Sequence, residues 1–281
     1  MKKIRMIALD LDGTVFDGDK KVTKHTQEIL EEAIRRGIVV FPCTGRPWTG
    51  IPEEIRKIRG MKYAVTSNGA RTVKFDTGET IRENCLSHRK TMELIDAAIA
   101  SPEGVWEIYV DGKCYADADT YRIIQSPDIN QAMLDYIRKT RNLVKNLRDW
   151  AEKEGVRTEK LHMMFERTDL RDRCMEKFQT FPDIDISYAS TFNLEINDIS
   201  CSKGRGILDL AEYLGIDRDE IMACGDSRND WPMLRDAGFA VVMGNADEET
   251  KKLADFVTKS NEEDGVAYAV EKFVLKTQGR G

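Results

Sequence analysis

The sequence predicts an α/β protein: a doubly wound parallel sheet with an α+β domain inserted into it. Three observations predict it. Short apolar runs alternate with helical patterns at both ends of the chain, the pattern of a parallel sheet. Four of those runs end in polar turns: DLDGT, TGR, SNG and GDSRND. The middle of the chain reads instead as hairpins with intervening helices.

Taken in order, residues 4–10 are an apolar run that reads as a buried strand. Residues 24–36 carry Ile29, Leu30, Ala33 and Ile34 at helical spacing, and Gly37 closes that helix. IVVFPCTGR is a second strand; Pro42 cannot donate to a ladder, so it fits only where pairing stops. A charged helix near 52–59 leads to YAVTSNGA, a third strand of the parallel sheet. In the middle, WEIYVDGKCYA predicts a hairpin turning at Asp111-Gly112. Helices near 128–140 and 146–153, a strand at KLHMMFE, a helix near 169–180 and strands near 184–196 follow. The parallel pattern then returns. Ile207, Leu208, Ala211 and Leu214 mark a helix ended by Gly215. IMACG is a strand ending on acids, WPMLRDAG a short helix, FAVVMGN and ADFVT strands, and GVAYAVEKFVL the last helix. The TQGRG tail reads as frayed. These readings assign residues 1–84 and 190–281 to one domain and 85–189 to the insertion.

A length of 281 residues suits two domains better than one. The formal charge of −6 argues against a nucleic-acid partner. No apolar run reaches the roughly 20 residues that span a bilayer, so no membrane partner is expected. MKKIRMIALDLDG faintly resembles a signal peptide, but Arg5 and Asp10 interrupt it and it reads as the first strand. Six cysteines at long irregular gaps, without a CxxC pair, predict reduced thiols and a cytoplasmic location. Three histidines give little material for a triad or a zinc cluster, and His162 reads as packed in a strand.

Ligands of open parallel sheets bind outside the carboxyl ends of the strands. The four polar turns should therefore meet on one edge, with Asp10, Asp12, Thr44, Asp226 and Asp230 around one crevice and Lys203 within reach. Two unit charges about 4 Å apart repel by roughly 4 kcal/mol at an effective dielectric of 20, so clustered carboxylates need an offset. Mg²⁺ suits them: it takes one or two carboxylates, several waters and often a phosphate. Thr44, Ser67 and N–H groups at helix starts suit phosphate oxygens, and Lys203 supplies positive charge. A carboxylate nucleophile forming an aspartyl-phosphate is established chemistry.

DLDGT, the threonine of CTGR, the lysine of SKG and GDSRND, in that order, resemble the haloacid dehalogenase (HAD) superfamily of phosphohydrolases. Their spacing and the EDGVA segment most resemble its Cof-type sugar-phosphatase branch, and the resemblance covers nearly the whole chain. It implies a Rossmann-like HAD core with a C2-type cap over the active site. It implies that Asp10 is the nucleophile, and that Asp12 is general acid and then base, with its backbone carbonyl on Mg²⁺. Thr44 and Lys203 would hold the transferring phosphoryl group, with Gly45, Arg46 and Asn229 toward phosphate or substrate. Asp226 would bind the metal and Asp230 would support its surroundings, while Asn68 and Gly69 lie at the pocket edge.

The implied activity is Mg²⁺-dependent phosphate release from small phosphorylated metabolites, sugar phosphates or a phosphorylated cofactor, by a monomer or weak homo-oligomer. A hexose-phosphate mutase on the same fold and a non-catalytic sensor of phosphorylated metabolites are the alternatives. Cys43, Pro42, Arg228 and Trp231 depart from the usual motif residues without removing a catalytic group. Asp17 and Asp19 read as surface loop residues, Cys224 as a buried strand residue, and Trp106, Tyr109, Tyr115 and Tyr121 as packing.

Overall fold

The computed structural model describes residues 3–124 and 131–276, so the TQGRG tail and the start of the helix expected from 128 lie outside the described residues. The chain forms two compact domains. The first holds residues 1–45, 51–82 and 202–281, and the second holds 46–50 and 83–201.

The first domain runs β1 (Met6–Leu9), α1 (Lys24–Arg35), β2 (Val39–Pro42), α2 (Glu53–Arg56), β3 (Tyr63–Thr66), β4 (Arg71–Lys74) and β5 (Thr80–Glu83). The second follows with α3 (His88–Ile99), β6 (Val105–Val110), β7 (Lys113–Asp117), α4 (Gln131–Thr140) and β8 (Arg141–Val144). It continues through α5 (Leu147–Lys153), β9 (Lys160–Met164), α6 (Thr168–Phe178), β10 (Ile184–Ser187) and β11 (Asn193–Asp198). The first domain is completed by α7 (Lys203–Leu214), β12 (Ile221–Gly225), α8 (Trp231–Asp236), β13 (Phe239–Val242), α9 (Glu248–Lys251), β14 (Phe256–Val257) and α10 (Gly265–Val270).

The first domain contains a parallel sheet in the order β14-β13-β12-β1-β2. Met6, Ala8, Phe41, Ala223 and Val242 bury one face of it against Ile207 and Leu210 of α7 and Met233 of α8. Local sequence starts and stops the helices as expected. Thr23 caps α1 by accepting from the Thr26 N–H, Ser202 caps α7 by accepting from the Arg205 N–H, and Gly215 ends α7 in the left-handed region. Asp264 of the EDGVA segment accepts from the hydroxyls of Thr23 and Thr26, so that motif anchors the start of α1.

Three expectations need correction. The third strand does not extend the parallel sheet. It meets β2 only through a parallel bridge between Cys43 and Val65, then pairs antiparallel with β4 in a separate three-stranded sheet, β3-β4-β5. The sequence reading gave residues 71–83 no element, because half of that hairpin is exposed and shows no apolar face. The insertion returns at Ser202, not near 190, because β11 pairs with β9 and β10 inside the second domain's sheet. The charged helix near 52–59 shrinks to the single turn of α2.

The second domain is a six-stranded sheet, β10-β11-β9-β6-β7-β8, antiparallel except for the β7–β8 pair. Asp111 and Gly112 turn the β6–β7 hairpin with φ of 49° and 72°, the type I′ geometry that DG favours. Trp106, Ile108 and Val110 face a core shared with Leu94 and Ile95 of α3 and Phe178 of α6. Among the described residues none of the six cysteines is joined in a disulfide. Among the described residues no helix is long and apolar enough to cross a membrane.

Candidate active site

Strands β12, β1 and β2 are neighbours and parallel, so their carboxyl ends share one edge. Backbone hydrogen bonds lace those ends together. The Asp10 N–H donates to the Cys224 carbonyl (3.0 Å), Cys43 to Leu9 (2.7 Å), Thr44 to Val65 (2.9 Å) and Asn68 to Thr44 (3.1 Å). The four polar turns singled out in the sequence are thus fixed to one another by main chain.

Asp10 is the first residue past β1 and is buried. Lys203, at the start of α7, is wholly buried and bridges two carboxylates: its Nζ donates to Asp10 Oδ1 at 2.6 Å and to Asp230 Oδ1 at 2.5 Å. The other Asp230 oxygen accepts the N–H groups of Asp226 and Ser227, each at 3.0 Å. Asp230 therefore holds both the lysine and the GDSRND turn. Asp226 Oδ1 accepts from the Thr14 hydroxyl at 2.7 Å. Asp10, Asp226 and Asp230 each bring one carboxylate oxygen within 4.8 Å of the others. Thr44 is buried, and Asn229 Oδ1 accepts from the Ser227 hydroxyl at 2.8 Å. Asp12 is half-buried, with Lys20 Nζ 2.8 Å from its Oδ1.

Gly13 explains itself here. Its φ is +83°, and a Cβ would come within 2.5 Å of Asp226 Oδ2, so only glycine leaves that carboxylate its space. Gly69 does the same for Lys203. At φ +95°, a Cβ there would run into the Ser202 carbonyl at the start of α7.

One ammonium cannot neutralise three carboxylates. Burial, and next the charge of Asp230, push the Asp10 carboxyl well above its usual range, although Lys203 pulls the other way. Burial and then Asp230 raise Asp226 to about 7, against the hydrogen bond from Thr14. Burial favours neutral Lys203, but Asp10 and Asp230 outweigh it and keep the ammonium protonated. An oxygen-only donor set with excess negative charge fits a hard divalent cation such as Mg²⁺.

Of the residues expected at the site, Asp10, Thr44, Lys203, Asp226, Asn229 and Asp230 are brought together by the lacing and bridges described above. Gly45 closes the first segment of that domain. Arg46 belongs to the second domain, where its guanidinium lies 4.1 Å over the Tyr136 ring. The two motif departures near the last acids pack on each other: Arg228 lies over Trp231, whose Nε1 donates to Thr250. Sequence reasoning missed Thr14, Lys20 and Asn245. Asn245 Nδ2 donates to the Gly13 carbonyl at 2.9 Å from the turn after β13, a fifth polar strand end that gave the available signal.

The family model for haloacid dehalogenase-like hydrolases matches residues 7–270. The 5-amino-6-(5-phospho-D-ribitylamino)uracil phosphatase YcsE of Bacillus subtilis is 25% identical over 272 residues, covering 97% of this chain and 96% of its own. A haloacid dehalogenase-like hydrolase from B. subtilis superposes with a TM-score of 0.84 at 24% identity, over 96% of this chain and all of its own. The phosphatase BT1666 from Bacteroides thetaiotaomicron gives a TM-score of 0.78 at 25% identity, over 96% of this chain and 95% of its own. With that match running from β1 to α10, the chain belongs to the haloacid dehalogenase-like hydrolase family, as a phosphatase of its Cof-type branch.

Proposed function

We propose that the protein is a Mg²⁺-dependent phosphohydrolase of small phosphorylated metabolites that works through an aspartyl-phosphate on Asp10. One observation carries this reading: Asp10 stands at the end of β1, between β12 and β2, with its carboxylate oriented by Lys203, which Asp230 in turn holds. That is the arrangement of a positioned carboxylate nucleophile rather than of a capping aspartate.

In the proposed reaction an Asp10 oxygen attacks phosphorus in line. The bond from phosphorus to the leaving oxygen breaks, that oxygen keeps the electron pair, and Asp12 gives it a proton. Asp12, now ionised, takes a proton from a water that attacks the same phosphorus. The bond to Asp10 breaks, which restores its carboxylate and frees phosphate. Lys203 and Thr44 stabilise charge on the transferring group, and Asn229 helps to orient it. Mg²⁺ bound by Asp10, Asp226 and the Asp12 carbonyl would supply the positive charge that lets an anionic phosphate approach a carboxylate.

YcsE carries the name of a phosphatase for a phosphorylated ribityl compound. We infer that this chain acts on the same class, monophosphate esters of sugars, sugar alcohols or cofactor precursors. The test is phosphate release from a panel of such esters and an aryl phosphate, with Mg²⁺, with chelator, and with Asp10→Asn. Release should require Mg²⁺ and fall at least about 10³-fold in the variant while the fold is retained. Near-normal turnover by Asp10→Asn would remove the nucleophile assignment. A phosphorylated acceptor appearing in place of free phosphate would turn the enzyme into a transferase.

A further inference from the structure

We infer that Lys20 is a positioning residue for the acid–base step, holding the Asp12 side chain in its working orientation; this rests on the acid–base role proposed for Asp12. Lys20 Nζ donates to Asp12 Oδ1 at 2.8 Å, and its side chain is only 28% exposed. Its neighbour Lys21 is 69% exposed and reaches Asp19 only at 3.6 Å. One of two adjacent lysines in a polar loop is therefore drawn inward.

The backbone is built to do this. Lys20 has φ +60°, a left-handed conformation that costs energy for any residue with a Cβ and that turns usually give to glycine or asparagine. The turn is locked around it. Asp17 Oδ1 accepts the N–H groups of Asp19 (3.0 Å) and Lys21 (2.8 Å), while the Lys20 N–H donates to the Asp17 carbonyl at 3.0 Å. The loop is also pinned from the far end of the chain. Glu262 accepts the Gly18 N–H at 2.7 Å, and Asn261 donates to the Phe16 carbonyl at 2.8 Å. Asp17, in the sequence only a loop acid, organises this turn. A strained position occupied by lysine, braced on both sides and ending on a carboxylate, is better explained by the contact it makes than by the turn itself.

The contact has a chemical consequence. With Oδ1 held by the ammonium, rotation of the Asp12 carboxylate is restricted and Oδ2 becomes the oxygen assigned to proton exchange with the substrate. Proton delivery to the leaving oxygen depends on that placement.

The test compares kcat/KM for phenyl phosphate, whose leaving oxygen needs a proton, with p-nitrophenyl phosphate, whose leaving group departs as an anion. Lys20→Met and Lys20→Gly should lose at least about five times more on the first substrate than on the second. Lys20→Arg should recover part of that selective loss. Lys20→Gly should melt no lower than the parent, since glycine takes φ +60° without strain, which separates positioning from support of the loop. Parallel losses on both substrates, or no loss on either, would overturn the inference. Asp12→Asn is the control. If it shows the selective loss and the Lys20 variants do not, only the role of Lys20 falls. If it shows no selectivity, the acid–base reading of Asp12 falls and this inference with it.

Discussion

At the scale of single residues, the site is governed by how few positive charges face how many carboxylates. Lys203 is wholly buried and touches both Asp10 and Asp230. Lys203→Met removes the ammonium and leaves two buried carboxylates without it, which in comparable settings costs about 3–5 kcal/mol. Chemical denaturation of the metal-free variant should show a loss of that order, and Mg²⁺ should recover part of it. A loss below about 1 kcal/mol would mean that the carboxylates protonate instead and that the lysine serves the reaction more than the fold. Asp10, Asp12, Lys203 and Asp226 were legible in the sequence because four motifs at strand ends fix each other's meaning. Lys20 was not, because a lysine in a polar loop has no period and no partner in sequence; only the left-handed backbone shows it. Gly69 was legible as a motif residue but not for its reason, which is the space it leaves beside Ser202.

At the scale of elements, the strands that read well are those whose burial is two-sided. β1, β12 and β13 are apolar runs because both faces are covered, and their order along the sheet follows. β4 and β5 were missed because β4 (RTVK) buries mostly polar side chains and β5 (TIRE) is mostly exposed, so neither gives an apolar run. The second domain's sheet hides a polar face that alternation alone does not interpret. Glu107 on β6 takes two hydrogen bonds from Arg141 of β8 (2.9 and 2.6 Å) and one contact from His162 of β9 (2.8 Å). Lys160 pairs with Glu195 at 2.7 Å on the same face. His162 was expected as a packed strand residue, and the structure gives it a carboxylate partner there. Burial pushes the Glu107 carboxyl up, but Arg141 and His162 outweigh it and hold it well below its usual range. Arg141→Met should therefore destabilise the protein by about 3–5 kcal/mol, and Glu107→Leu on that background should restore much of the loss. Additive losses in a double-mutant cycle would rule out the pair as a coupled unit.

At the scale of the whole molecule, the two domains carry opposite pH signatures. In the first, Asp10 and Asp226 have folded-state pKa values above their unfolded ones, Asp226 at about 7. The folded chain binds those protons more tightly, so this contribution to stability is complete below the unfolded value and is lost as pH rises through about 7. In the second, Glu107 is depressed, so its contribution is complete above the unfolded carboxylate value of 4.5 and is lost only as pH falls below that. Between these limits, acidification should stabilise the metal-free first domain without loosening the Glu107 network. Mg²⁺ acts in the other direction, since it binds the ionised carboxylates and must displace protons to do so. The rise in Tm produced by a fixed millimolar Mg²⁺ concentration should thus be small near about pH 5.5 and grow to several degrees by about pH 8. Trp231, adjacent to Asp230, is the only tryptophan of the first domain; Trp48, Trp106 and Trp150 lie in the second. Calorimetry of the whole chain, alongside tryptophan-fluorescence melts of the parent and of Trp231→Phe, would assign the Mg²⁺-sensitive transition to its domain. A Mg²⁺ effect that is flat with pH, or unchanged in Asp226→Asn, would mean that the cation does not bind through these carboxylates.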